Sequence, residues 1–170
     1  MKILALDTAT PVCSVALTQG EALVAEYRLS RKNSHNEKLV VTIQRLLSDA
    51  GWTPAQLEGI VCSLGPGSFT GLRIGLSVAK GLAFAREIPL AGVKTPEAFA
   101  HSARLWHGQI CVAIKARAEE AYFALYRSEA QTVQTVSACE VISIDEISGR
   151  LQEKTLVLTS PAELLTRIQA

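Results

Sequence analysis

The chain has little that would mark it as a nucleic-acid binder, a membrane protein or a metal enzyme. Lys and Arg outnumber Asp and Glu by 17 to 16, and no basic run is longer than Arg31-Lys32, so there is no large electrostatic footprint for RNA or DNA. No stretch offers the roughly 20 mainly apolar residues of a membrane span, since Arg73, Lys80 and Arg86 interrupt the best candidate. Cys13, Cys62, Cys111 and Cys139 lie singly in apolar, strand-like runs with no C-x-x-C pair, so they read as reduced core thiols of a cytosolic protein. The opening Met1-Lys2-Ile3-Leu4-Ala5-Leu6-Asp7 turns acidic too soon for a signal peptide. Metal-ligand spacing is missing as well: His35 is followed four residues on by Leu39, His101 by Leu105 and His107 by Cys111, so no His pair shares a helical face. Internal repeats and low-complexity segments are absent.

What is present is a packed core and a clear order of elements. With 170 residues and 48% hydrophobic content, the chain suits one domain or two small lobes. Ile3 to Asp7, Cys13 to Leu17 and Ala22 to Leu29 read as a three-stranded meander. Ser34-His35-Asn36-Glu37 has the form of a capping box, and Leu39, Val40, Ile43, Leu46 and Leu47 continue it as a helical stripe that Gly51 ends. A strand at 59–64, a helix at 68–87, a short strand at 89–93 and a helix opened by Thr95-Pro96-Glu97 follow; Phe99, Ala103 and Trp106 share a face of the last. From Gln109 the texture returns to strands, which places a first lobe at 1–108 and a second, shortened one at 109–170.

Residues 65–75, Gly65-Pro66-Gly67-Ser68-Phe69-Thr70-Gly71-Leu72-Arg73-Ile74-Gly75, are the most specific stretch. A buried strand, a sharp turn and a helix start bring free backbone N–H groups to one spot, where an anion is favoured. The known phosphate loops do not fit, however: the dinucleotide fingerprint lacks its glycine at position 70, and neither Gly-Lys-Ser/Thr nor G-x-S-x-G occurs. Along the helix, Gly67, Gly71, Gly75, Ala79 and Ala83 recur every fourth residue as a small-residue ridge. Interior glycine costs about 1 kcal/mol relative to alanine, so the ridge implies a close neighbour, such as another helix or a second chain.

The element order is that of the α/β fold shared by actin, the sugar kinases and Hsp70-like ATPases, which is ribonuclease H-like in each lobe. Ile3-Leu4-Ala5-Leu6-Asp7-Thr8-Ala9-Thr10, Cys13-Ser14-Val15-Ala16-Leu17, Ser34-His35-x-Glu37, the Gly65–Gly75 run, and Ala116-Arg117 before Glu120-Ala121-Tyr122 closely resemble the TsaB (YeaZ) family over roughly residues 1–127. The resemblance implies a non-catalytic subunit in synthesis of threonylcarbamoyladenosine (t6A). Such a subunit supports a TsaD-like catalytic partner that transfers threonylcarbamoyl to adenosine 37 of tRNA, with a TsaE-like ATPase joining the pair. It implies that the helices at 34–50 and 68–87 pack on the partner, or on a second copy when the chain is alone. The interface residues would then be Leu39, Val40, Ile43, Leu47, Phe69, Gly71, Leu72, Gly75 and Ala79. tRNA would be met only through the complex.

Three departures bear on nucleotides. In ATP-hydrolysing relatives the first strand ends Asp-x-Gly, but Asp7-Thr8-Ala9 has no glycine. Lys115-Ala116-Arg117 stands where the family has Asp-Ala-Arg, and the second lobe is shorter than the family's. Asp7, Thr8, Gly65, Gly67 and Lys115 are therefore weak nucleotide-facing candidates, with ATP and magnesium expected only in the complex. The competing reading is a small stand-alone ATPase or kinase that uses Asp7 and the Gly65–Gly67 turn.

Overall fold

A computed structural model describes residues 1–30, 35–151 and 153–169, and divides them into two compact units, Met1–Val93 and Lys94–Ala170. The capping box at Ser34 lies outside the described residues.

The first unit holds β1 (Lys2–Asp7), β2 (Val12–Gln19), β3 (Ala22–Ser30), α1 (His35–Asp49), β4 (Gly59–Ser63), α2 (Phe69–Arg86) and β5 (Leu90–Val93). Its five strands run in the order β3-β2-β1-β4-β5, antiparallel within the meander and parallel from β1 through β4 to β5. Register explains the alternation read in the sequence. Leu4 lies between Leu17 and Ile60, and Leu6 between Val15 and Cys62, so one face of three strands is continuously apolar. That face is covered by Leu39, Ile43, Leu46 and Leu47 of α1 and by Ala79 and Ala83 of α2. Helix α1 ends as Gly51 predicts: the glycine takes φ +67, and the Trp52 N–H donates to the Leu47 carbonyl at 2.8 Å.

The second unit holds α3 (Thr95–Ser102), β6 (Gly108–Lys115), β7 (Glu120–Glu129), β8 (Thr132–Ser143), α4 (Ile147–Arg150), β9 (Thr155–Ser160) and α5 (Leu164–Gln169). Its sheet order is β8-β7-β6-β9, with β9 parallel to β6. Both faces of this sheet are covered. Cys111, Ala113 and Phe123 meet Ile147 of α4 and Leu164 and Ile168 of α5 on one side, while Ile110, Val112 and Tyr126 meet Ala100 of α3 on the other. Strand β6 is buried from Gln109 to Ile114 as a result, the continuous apolar run of a strand with helices on both faces.

The boundary falls before α3 rather than at 108/109, because α3 supplies one cover of the second sheet. The helix also stops at Ser102. Ala103 and Trp106 still pack on the core beside Phe99, but from the turn that follows, where the Trp106 indole N–H donates to the Gln109 carbonyl at 3.1 Å. The expectation of four core thiols holds for Cys13, Cys62 and Cys111 and fails for Cys139, which is exposed on β8, the edge strand of its sheet.

Candidate functional site

The two loops singled out in the sequence meet in the first unit. The turn after β1 is tied down by its own side chains: the Asp7 carboxylate accepts the Ala9 N–H at 2.9 Å, and the Thr10 hydroxyl accepts the Val12 N–H at 3.3 Å. Thr8, Ala9 and Thr10 are all buried. They are buried against the start of α2, where the Ser68 N–H donates to the Ala9 carbonyl at 2.7 Å and the Thr8 hydroxyl donates to the Gly71 carbonyl at 2.8 Å. Ser68 is the N-cap of α2, its hydroxyl accepting the Gly71 N–H at 3.2 Å.

This contact accounts for the glycines. A Cβ on Gly67 would lie 2.2 Å from the Ala9 carbonyl oxygen, one on Gly71 would lie 2.0 Å from the Thr8 carbonyl oxygen, and one on Gly75 would lie 2.2 Å from the Thr8 hydroxyl oxygen. The close neighbour demanded by the ridge is therefore the chain's own β1–β2 turn, neither a second helix nor a second chain. Gly65 is required for a different reason, its φ of +92.

The sequence-derived interface set is corrected accordingly. Leu39, Ile43, Leu47, Gly71, Gly75 and Ala79 are buried inside the unit, their surfaces taken up by its sheet and by the Thr8–Ala9 turn. Leu72 is half-buried, its side chain set against Gly65. Val40 and Phe69 are exposed, at 50% and 72%. The sequence reading missed two others: Val41 on α1 at 62% and Phe84 on α2 at 88%. Counting helical turns from the buried ridge would have found Phe84, because Phe69, Arg73, Ser77, Lys80 and Phe84 follow one another on the far side of α2. The Arg73 guanidinium lies 4.9 Å from the Phe69 ring centroid, a cation–π pair that fixes both side chains at the exposed start of the helix.

Of the nucleotide-facing candidates, Asp7, Thr8 and Gly67 lie in this one region, with Asp7 accepting the Ala9 N–H, Thr8 donating to the Gly71 carbonyl and Gly67 packed on the Ala9 backbone. Lys115 belongs to the second unit, exposed at the end of β6. Burial pushes the Cys62 thiol up to about 11, helped by the negative charge of Asp7, and pushes Cys111 up to about 12. Neither is a nucleophile at neutral pH. Among the described residues no three His, Cys, Asp or Glu side chains converge as metal ligands, and no helix is long and apolar enough to cross a membrane.

A mixed sheet with a β1–β2–β3 meander, parallel β1, β4 and β5 and a helix-covered second sheet defines the actin-like fold class. The activator of 2-hydroxyisocaproyl-CoA dehydratase from Clostridium difficile shares this fold, with a TM-score of 0.51 at 12% identity over 91% of this chain and 53% of its own. The family model for TsaD, tRNA N6-adenosine threonylcarbamoyltransferase, matches residues 22–166. The tRNA threonylcarbamoyladenosine biosynthesis protein TsaB of Escherichia coli is 35% identical over 86% of this chain and 64% of its own length. That of Bacillus subtilis is 32% identical over 91% and 67%. YeaZ from Pseudomonas aeruginosa superimposes with a TM-score of 0.76 at 30% identity, covering 86% of this chain and 69% of that one. The chain belongs to the TsaB/YeaZ branch of the TsaD-type family, and it spans about two thirds of the length of these two TsaB relatives.

Proposed function

We propose that the chain is an accessory, non-catalytic subunit in t6A synthesis, supporting a TsaD-like catalytic subunit, with a TsaE-like ATPase joining them and tRNA met only through the complex. The observation that carries this reading is the division of labour on α2. Its inner ridge is consumed by the Thr8–Ala9 turn, and its outer stripe presents Phe69 and Phe84 to solvent. Large exposed aromatics on one face of a helix suit a partner surface. ATP and magnesium belong to the assembled complex, since Asp7 and Thr8 are already hydrogen-bonded to Ala9 and Gly71 and Gly67 is packed on Ala9. The four free cysteines suit the cytosol. Self-association of the chain when alone belongs to the same proposal, through the same helices at 34–50 and 68–87.

The test is reconstitution with a TsaD-like subunit, a TsaE-like ATPase and unmodified tRNA. Phe69→Asp and Phe84→Asp should abolish co-elution with the TsaD-like subunit and formation of t6A. Val136→Asp, on the exposed face of β8, should leave both intact. Unchanged complex formation and activity in the two phenylalanine variants, with the variants folded, would remove the helix face from the proposal.

A further inference from the structure

The outer stripe of α2 carries charge of one sign. Among its 18 residues the helix has Arg73, Lys80 and Arg86 and no acid. Arg86 turns back to the chain, its guanidinium donating to the Ala55 carbonyl at 3.1 Å. Arg73 and Lys80 are exposed on the same stripe as Phe69 and Phe84, and among the described residues neither has a carboxylate within salt-bridge distance. Other helical arginines are matched: Arg45 of α1 lies 3.8 Å from Asp49, and Arg167 of α5 lies 2.6 Å from Glu119. The two free cations stand two helical turns, about 10 Å, apart along the axis. Beside Lys80, Gly81 has nothing within 4 Å of where its Cβ would be. A helix interior favours alanine over glycine, so the open surface at Gly81 leaves room for a close approach from outside.

Exposed aromatics at either end and cations between them fit one kind of surface. A partner that covers Phe69 and Phe84 also strips water from Arg73 and Lys80, so each cation then needs a carboxylate opposite. A second copy of the stripe cannot supply one: it brings only further cations, and like charges within about 10 Å repel. On the accessory-subunit reading given above, we propose that the surface of the TsaD-like subunit facing α2 is acidic, with carboxylates about two helical turns apart that meet Arg73 and Lys80. This pairing favours that subunit over a second copy of the chain. Charge on α2 speeds encounter with the acidic surface and holds the complex through two desolvated pairs, while it opposes self-pairing through the same helix.

The test is calorimetric titration of the full chain and its variants with the TsaD-like subunit at about 0.05 and about 0.5 M salt. Sedimentation equilibrium follows self-association, and circular dichroism confirms folding. The wild type should bind the subunit, several-fold more weakly at the higher salt. Arg73→Glu and Lys80→Glu should each weaken that binding about tenfold or more. Neither should weaken self-association, since a carboxylate on the stripe gains a cation to face in the second copy. Lys154→Glu, the same change of charge beside Trp106 in the second unit, should leave the affinity unchanged. Lysine in place of one carboxylate on the facing surface of the subunit should restore binding to Arg73→Glu. A complex that forms but is indifferent to salt and to both reversals, or that Lys154→Glu weakens equally, or that no such lysine rescues, would overturn the acidic surface and leave the accessory role standing. So would reversals that weaken both associations alike, which makes the two side chains part of the general packing. A wild type that binds no TsaD-like subunit at either salt would remove the accessory role and the acidic surface together.

Discussion

Gly71 and Gly81 show how differently one residue type is used within one helix. At Gly71 a Cβ would sit 2.0 Å from a backbone oxygen held in a buried turn, whereas at Gly81 nothing lies within 4 Å. Alanine at Gly71 gains helix propensity of about 1 kcal/mol. It loses more, because overpacking against backbone costs about 1–3 kcal/mol and here also breaks the Thr8–Gly71 hydrogen bond, worth about another 1 kcal/mol. We expect Gly71→Ala to lower the denaturant midpoint and Gly81→Ala to raise it, by up to about 1 kcal/mol in stability. Equal effects of the two would mean that the Thr8 contact is not what holds Gly71.

Helix α2 has one well-made end and one strained end. Ser68 caps its start, and replacing such a cap by alanine costs about 1 kcal/mol. Its other end closes with Ile88 N–H donating to the Ala83 carbonyl at 3.1 Å, a geometry that holds Glu87 at φ 53, where glycine is preferred. Glu87→Gly removes the strain of a left-handed side-chain-bearing residue, about 1–2 kcal/mol, less the extra chain entropy that glycine loses on folding. Urea titrations should therefore show Ser68→Ala destabilised and Glu87→Gly at least as stable as wild type. Ser68→Ala keeps the backbone hydrogen bond to the Ala9 carbonyl but frees the Gly71 N–H, so amide exchange should quicken in the first turn of α2.

For the whole molecule, the buried titratable groups set an alkaline limit. Cys62 is raised from 9.0 to about 11, Cys111 from 9.0 to about 12 and Tyr126 from 10.0 to about 12, in each case first through burial. The folded chain holds these protons after the unfolded chain has released them, so raising the pH favours the unfolded state. Stability from these groups is complete below pH 9 and is lost between about 9 and 12. Cys111→Ala and Cys62→Ala should each flatten that fall in pH-dependent unfolding, the first acting on the second unit and the second on the first. Exposed Cys139 should be alkylated first at mildly alkaline pH.

The sequence by itself determined most of the elements and their order along the chain, the family, and the two loops that matter, while the short α4 went unread. These follow from local rules: alternation in β1 and β2, the stripe from Leu39 to Leu47, glycine after α1, and a serine cap before α2. They are legible because each depends on neighbours a few residues away. Tertiary structure alone decided what the glycine ridge is for. A ridge of small residues announces a close neighbour without naming it, and only the parallel pairing of β1 with β4, followed by α2, brings Thr8 and Ala9 onto Gly67, Gly71 and Gly75. The same pairing sends Gly71, Gly75 and Ala79 inward and leaves Phe84 outside. Apolar character predicts a wish to be buried, but whether the chain's own sheet grants it depends on which face of each helix the sheet has room to cover.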